Sequence, residues 1–336
     1  MRRVFRDIHV ILVGAWTILA TVVRRLVRGP KHPSWTLRFE IVAEIMRMAL
    51  RLGHDTMSVE MQRLQPTPPL TRGIRRRLEW KREPIADLPT ELHTPNDWET
   101  GAPTLVHFHG GGYTMCSPAT HRLLLARIAL ASNARCIAPD YRKAPEHPYP
   151  AAIEDCLGVY QAVLDDGVDP QTIVISGDSA GGGLALAVLQ RIRDGGLPMP
   201  RAAVLLSPWC NLSVTSGGSI DDNASLDYLA GDMLDWAAGV YLDGLDAKHP
   251  EASAVFADLS GLPPLLVQSG GGEILLDQNH TLVERAREAG VEVVHEITDG
   301  MIHVFQILDP FPTARRATES IARYIRAAVA GPPPAE

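Results

Sequence analysis

Apolar residues follow two rhythms along this chain. In the first seventy positions the spacing is helical. Ile41, Val42, Ile45, Met48, Ala49 and Leu52 recur every three or four residues, with Glu40, Glu44, Arg47 and Arg51 opposite. That pattern predicts an amphipathic helix over Leu37–Leu52 with one face to bury. Before it, Ile8–Val23 is almost wholly apolar, flanked by Arg2, Arg3 and Arg6 and by Arg24, Arg25 and Arg28, and broken by Gly29-Pro30. As a helix it measures ~24 Å, short of the ~30 Å hydrocarbon core of a bilayer. Arginines on both sides give no orientation, and no small-residue cleavage site follows. Two readings stand: a helix packed on the domain or over its pocket, and a membrane anchor or interfacial helix. The run Pro66–Pro69 reads as the linker into the main body.

From about residue 74 the rhythm becomes short apolar runs alternating with helical segments. Strands are predicted at Thr104–Phe108, Arg135–Ala138, Ile173–Ser176, Ala202–Leu206, Leu265–Gln268 and Val291–Ile297. Helices are predicted at Arg122–Ala131, Pro150–Asp165, Gly182–Arg193, Asp277–Ala289 and Thr313–Ala328. Proline opens the second of these and Gly167 follows its end, the favoured asymmetry. Buried strands alternating with helices predict an α/β fold, a mostly parallel sheet covered on both faces. Its chemistry belongs in the loops beyond the carboxyl ends of the strands. The stretch Asn211–Pro250 interrupts the alternation with a polar loop and a helix around Asp232–Leu242, and reads as an inserted lid. The organisation is therefore N-terminal helices over 1–70, core over 71–210, insertion over 211–250 and core again over 251–336.

Composition narrows the function. The 336 residues are 46% hydrophobic and 21% charged, an ordinary globular balance. A net charge of −7 without a sustained basic tract argues against nucleic acid as a partner. Four scattered cysteines, Cys116, Cys136, Cys156 and Cys210, form no CxxC pair. Reduced thiols in a cytosolic setting follow, with membrane association through residues 8–23 as the addition the N-terminal helix allows.

Gly177-Asp178-Ser179-Ala180-Gly181 lies between a predicted strand and a predicted helix. In that context G-x-S-x-G is a nucleophile elbow, whose tight turn lifts the Ser179 hydroxyl above the sheet. The helix behind it aims unpaired amides at an anion. A phosphate loop does not fit, since no lysine follows at the required spacing. His109-Gly110-Gly111-Gly112-Tyr113 ends an upstream strand. Its glycines let the main chain approach a ligand closely, so the amides of Gly111 and Gly112, with that of Ala180, are the expected oxyanion donors. His109 is expected to hold that loop through backbone carbonyls, and His107 to be packed.

A base is expected near the C-terminus, in the order nucleophile, acid, histidine. His303 follows the last strand on a loop, whereas His280 falls in a helix and His295 in a strand. The acid must follow Leu265–Gln268, where Glu273 and Asp277 are the candidates. Glu273 lies in the turn and is assigned to orient His303; Asp277 opens a helix and is assigned a structural capping role. Asp178, Arg142, Glu146 and Asp155 read as braces of nearby loops. Tyr113, Trp209 and Tyr228 read as pocket wall. Met46, Met48, Met57 and Met61 read as core or as an adaptable pocket rim.

These residues together resemble the bacterial hormone-sensitive-lipase-like carboxylesterases of the α/β-hydrolase superfamily. The resemblance rests on His109–Tyr113, on Asp140-Tyr141-Arg142-Lys143-Ala144-Pro145-Glu146-His147-Pro148, and on Gly177–Gly182. Leu205-Leu206-Ser207-Pro208-Trp209 and Gly300-Met301-Ile302-His303-Val304-Phe305 extend it over roughly 75–328. It implies an eight-stranded core and a helical cap made from the N-terminal helices and the insertion. It also implies hydrolysis of short- to medium-chain esters with no metal or organic cofactor. The family usually shows Asp-x-Leu-x-Asp where this chain has Glu273-Ile274-Leu275-Leu276-Asp277. Some relatives carry aspartate at the position of Gly272; were that their acid, activity here would be reduced. A lactone hydrolase, including one for terpene-derived ε-lactones, would use the same residues. A non-catalytic small-molecule receptor on this fold is the alternative from another class. A homodimer is compatible with the sequence.

Overall fold

This computed structural model describes residues 2–56, 59–63 and 67–331, the side chains of 2–11, Thr56 and Met61 excepted. Helices α1 (Arg2–Arg28), α2 (Leu37–Thr56), α3 (Val59–Gln62) and α4 (Arg72–Arg75) precede the sheet. The hairpin β1 (Leu78–Ile85) and β2 (Leu88–Pro95) follows, then β3 (Thr104–Phe108), α5 (Pro118–Ser132), β4 (Arg135–Pro139) and α6 (Ala151–Asp165). Next come β5 (Ile173–Asp178), α7 (Ala180–Asp194), β6 (Ala202–Leu206), α8 (Ser219–Asp222) and α9 (Gly231–Leu242). The chain closes with β7 (Leu265–Gly270), α10 (Leu276–Glu288), β8 (Val293–Thr298) and α11 (Pro312–Ala330).

The eight strands form one sheet in the order β1-β2-β4-β3-β5-β6-β7-β8. Pairings from β4 to β8 are parallel, and β2 joins β1 and β4 antiparallel. All six predicted strands are present. Strands β3, β5, β6 and β7 are buried at every position, which is why they read as continuous apolar runs. Val106, Ile175, Leu205 and Val267 face α6, α7 and α10, while Leu105, Val174, Val204 and Leu266 face α5 and α11.

The hairpin β1–β2 escaped the residue-by-residue reading. Strand β1 is one edge of the sheet, exposed at Glu79, Lys81 and Arg82, and charges on an edge block further pairing. Its turn uses Ala86 and Asp87, both at positive φ (50° and 63°), without the Asn-Gly signature of such turns. Helix α5 begins earlier than predicted. Pro118 opens it, and the Ser117 N–H donates to Thr120 Oγ at 3.3 Å.

Helix α2 contradicts its expected polar face. Glu40 is fully buried, paired with Arg24 and, at 2.5 Å, with Arg25 of α1. Arg47 donates to Asp227 O and Ser225 O in the 211–250 segment. The charges on that face are partners for neighbouring chain, which periodicity alone does not distinguish from a solvated face. Among the described residues no helix is long and apolar enough to cross a membrane. Of the methionine group, Met46 lines the cavity described below; Met57 and the Met61 side chain lie outside the described residues, as does Pro66 of the linker.

Candidate active site

Strand register brings five loops together. Strands β3 and β5 pair Phe108 with Gly177, β5 and β6 pair Asp178 with Leu206, and β7 and β8 pair Gly270 with Thr298. The residues just past those strand ends are His109–Gly112, Ser179, Ser207, Glu273 and His303, so neighbouring strands deliver neighbouring site residues.

Ser179 sits on the turn between β5 and α7 at φ 53°, ψ −124°, a conformation that side chains rarely adopt. The turn is locked by its carbonyl, which accepts the N–H groups of Gly182 at 2.9 Å and Trp209 at 2.8 Å. Gly181 is required by close approach: a Cβ there would lie 2.0 Å from the carbonyl oxygen of Phe108. Gly111 and Gly112 are at positive φ (116° and 60°). Their N–H groups and that of Ala180 find no acceptor among the described residues, as an anion-binding nest requires.

Asp178 fixes this loop from below. Its carboxylate accepts from Gly110 N, His107 Nε2 and His121 Nε2, each at 3.1 Å. Burial works against its charge, but the positive His121 and the hydrogen bonds of both histidines outweigh it and hold the group far below the usual carboxylate range. His121 is raised against its own burial by Asp178, whereas burial wins at His107 and lowers it. His109 stacks on Tyr141 with ring centroids 4.3 Å apart, and its Nδ1 is 2.7 Å from Gly110 O. The bracing expected of Asp178 and the carbonyl contact expected of His109 are both present.

Ser179 and His303 line one cavity of about 590 Å³ together with Gly111, Gly112, Trp209 and Tyr228. The rest of its wall is mostly apolar and includes Met46 and Leu50 of α2 and Met233, Leu234 and Trp236 of α9. Tyr113, expected in this wall, does not line it. It is buried at φ 60° under the glycine loop and stacks on Tyr241 at 3.7 Å. The positive φ turns its side chain away from the cavity and into the core.

Glu273 lies behind the cavity, fully buried, with Oε2 3.9 Å from Nδ1 of His303. That separation exceeds a hydrogen bond, and His303 Nδ1 has no hydrogen-bond partner among the described residues. Glu273 accepts from Ser207 Oγ at 2.5 Å, Gly270 N at 3.1 Å and Asn279 Nδ2 at 2.7 Å. All three are donors, as an ionised carboxylate requires. Burial, aided by the nearby Asp227 charge, opposes them and pushes the group up to about 8. Burial likewise pushes His303 down to about 4.

Two residues that the sequence reading left without a role tie these loops together. Ser207, at φ 47° just past β6, donates to Glu273 and accepts the Val304 N–H at 3.1 Å, bridging the acid to the histidine loop. Its signal was its place at the end of a parallel strand. Asp227, buried in the 211–250 segment, accepts from Ile274 N at 2.8 Å and His303 N at 3.3 Å. Burial pushes it up to about 6 against its backbone donors. Nothing in the irregular sequence around it marked it. Asp277 is structural as expected but in another way. The helix cap is Leu275, and the Asp277 carboxylate accepts the Ser219 N–H at 2.7 Å. Arg142 is bound by Asp155 at 2.8 Å and Glu146 by Arg63 at 2.7 Å, the bracing expected of that loop. Among the described residues no cluster of three or more His, Cys, Asp or Glu is arranged to hold a metal.

Residues 105–307 match the model of a family described by the alpha/beta hydrolase fold. An acetyl-hydrolase of Streptomyces hygroscopicus is 40% identical over 250 residues, covering 73% of this chain and 84% of that protein. An esterase of Acinetobacter venetianus is 40% identical over 223 residues, covering 66% of this chain and 73% of its own. The crystal structure of an esterase from the bacterial hormone-sensitive lipase family superposes with a TM-score of 0.75 at 33% identity, covering 94% of this chain and 98% of that one.

Proposed function

This chain belongs to the alpha/beta hydrolase family, in its bacterial hormone-sensitive-lipase-like branch, and is an ester hydrolase; we propose that it works through a Ser179 acyl-enzyme. Ser179 Oγ attacks the ester carbonyl carbon as His303 takes the hydroxyl proton. The carbonyl oxygen becomes an oxyanion held by the N–H groups of Gly111, Gly112 and Ala180. Collapse breaks the bond to the alcohol, which leaves with the proton from His303. Water, deprotonated by His303, then attacks the acyl carbon and releases the acid and Ser179. Glu273 steadies the transient imidazolium from behind.

One observation carries this reading: Ser179 at φ 53° and His303 line one cavity with the two glycines whose N–H groups are unpaired. A receptor has no need of a strained serine on the same cavity wall as a histidine. The mostly apolar wall suits the acyl chain of short- to medium-length carboxylic esters. Helices α1 and α2 and the 211–250 segment serve as the cap, α2 and α9 forming its inner surface. Turnover of p-nitrophenyl esters of increasing acyl length tests the reading. Ser179→Ala abolishes turnover and leaves the thermal unfolding midpoint in place. Undiminished hydrolysis by that variant overturns it.

A further inference from the structure

Helix α1 has one used face and one unused face. On the used side Thr21 is buried, and Arg24 and Arg25 pair with Glu40 of α2. On the other side Leu12, Trp16, Leu19, Val23 and Leu26 are 63%, 69%, 54%, 50% and 82% exposed. Their spacing of four, three, four and three residues lines them up along the helix. In the sequence the same spacing runs back through Ile8 and Phe5. Scattered exposed apolar residues need no explanation, but a continuous stripe marks a contact surface.

Charge selects the occupant. Of the six arginines across Arg2–Arg28, Arg24 and Arg25 are paired with Glu40, which leaves Arg2, Arg3, Arg6 and Arg28 against one acidic residue, Asp7, in a chain whose net charge is −7. A second copy of the helix would set like charge against like charge. An anionic lipid surface answers both the stripe and the arginines, with the tryptophan at the depth such rings prefer. The helix is about 40 Å long at 1.5 Å per residue. With α2 packed on its other face, only the stripe is open to lipid, the arrangement of a helix that lies in the surface plane. The cavity lies next to it: α2 packs against α1 and also lines the cavity with Met46, Ala49, Leu50 and His54.

We propose that α1 lies in the surface of an anionic bilayer on the stripe Leu12–Leu26, and that the cavity thereby draws its ester substrates from that surface. The second half rests on the esterase reading above; the first does not. Flotation of the full chain with vesicles of phosphatidylcholine, alone or mixed with phosphatidylglycerol, tests it. The chain floats with the mixed vesicles, less so as salt is raised, and Trp16→Phe removes a blue shift of tryptophan emission on binding. The double variant Leu19→Gln/Leu26→Gln lowers the bound fraction about tenfold while p-nitrophenyl butyrate turnover in solution is unchanged. Ser179→Ala floats like the wild type, which separates failure of this proposal from failure of the catalytic one. The proposal is overturned if the full chain does not float with mixed vesicles. It is equally overturned if the double variant floats undiminished, or if it only converts a dimer to a monomer.

Discussion

The carboxylate of Glu273 faces Nδ1 of His303 across 3.9 Å while the Ser207 hydroxyl holds the same oxygen at 2.5 Å. The acid is therefore fixed from behind, and the imidazole is the partner that closes the gap. Formation of imidazolium during turnover supplies the charge that draws the two together. Glu273→Gln keeps the shape and removes that charge. It is expected to lower kcat by on the order of 10²–10⁴-fold. Asp277→Asn, whose oxygen still accepts from Ser219 N, leaves kcat nearly unchanged. Steady-state kinetics on p-nitrophenyl butyrate reads both, and the opposite ranking would move the acid to Asp277.

The glycine before the acid gives a second prediction. A Cβ on Gly272 would lie 3.2 Å from Leu226 Cδ1 and 3.3 Å from the Met301 carbonyl oxygen. A carboxylate grown from there meets an apolar side chain and an acceptor, neither of which holds an anion. Gly272→Asp introduced into Glu273→Gln therefore does not restore kcat. Recovery to near wild-type turnover would show that the acid can be supplied from position 272.

The pH profile follows from the buried pair. The competent form has His303 neutral and Glu273 ionised. Burial brings His303 down to about 4, so its proton is gone early. Burial brings Glu273 up to about 8, so kcat/KM keeps climbing with pH through that value. Ser207→Ala removes a donor to the ionised form and shifts this rise to higher pH; Asp227→Asn removes a nearby charge and shifts it lower. For stability, a raised folded-state value means that the contribution is complete below about 4.5 and is lost as pH rises through about 8. Glu273→Gln therefore loses less of its unfolding midpoint between these values than the wild type does. A kcat/KM profile already level at neutral pH would show that Glu273 is ionised well below that value.

Asp227 couples the 211–250 segment to both loops of the acid and base. Asp227→Ala strands the N–H groups of Ile274 and His303, at roughly 1–3 kcal/mol for each buried donor. Both the unfolding midpoint and kcat are expected to fall. Arg47→Ala removes the α2 guanidinium that donates to the Asp227 and Ser225 carbonyls. It is expected to act in the same direction and more weakly, since those carbonyls lie nearer solvent. Calorimetry beside kinetics checks the order. An Asp227→Ala variant with wild-type kcat would show that the histidine loop holds its geometry unaided.

What could be read in the sequence was what local pattern encodes. Strands β3 to β7 are legible because burial on both faces leaves no polar alternation. The turns at Ser179 and at Gly111-Gly112 are legible because tight backbone admits few residue types. The β1–β2 hairpin is not, since its edge is charged and its turn is Ala86-Asp87. The pairing of Glu40 with Arg24 and Arg25 is hidden because a paired charge and a solvated one have the same periodicity. Ser207 and Asp227 are hidden because their partners, Val304, Ile274 and His303, are distant in sequence and meet them only through the fold. Tyr113 was misplaced because its side-chain direction depends on a positive φ that sequence does not display.

The most direct test is labelling of the full chain with a fluorophosphonate, followed by mass spectrometry of the modified peptide. Covalent capture needs an activated serine and no knowledge of the natural ester. A single adduct on Ser179, absent from Ser179→Ala and slowed in His303→Ala, is the result expected. Labelling of a different serine, or none while ester hydrolysis proceeds, contradicts the account.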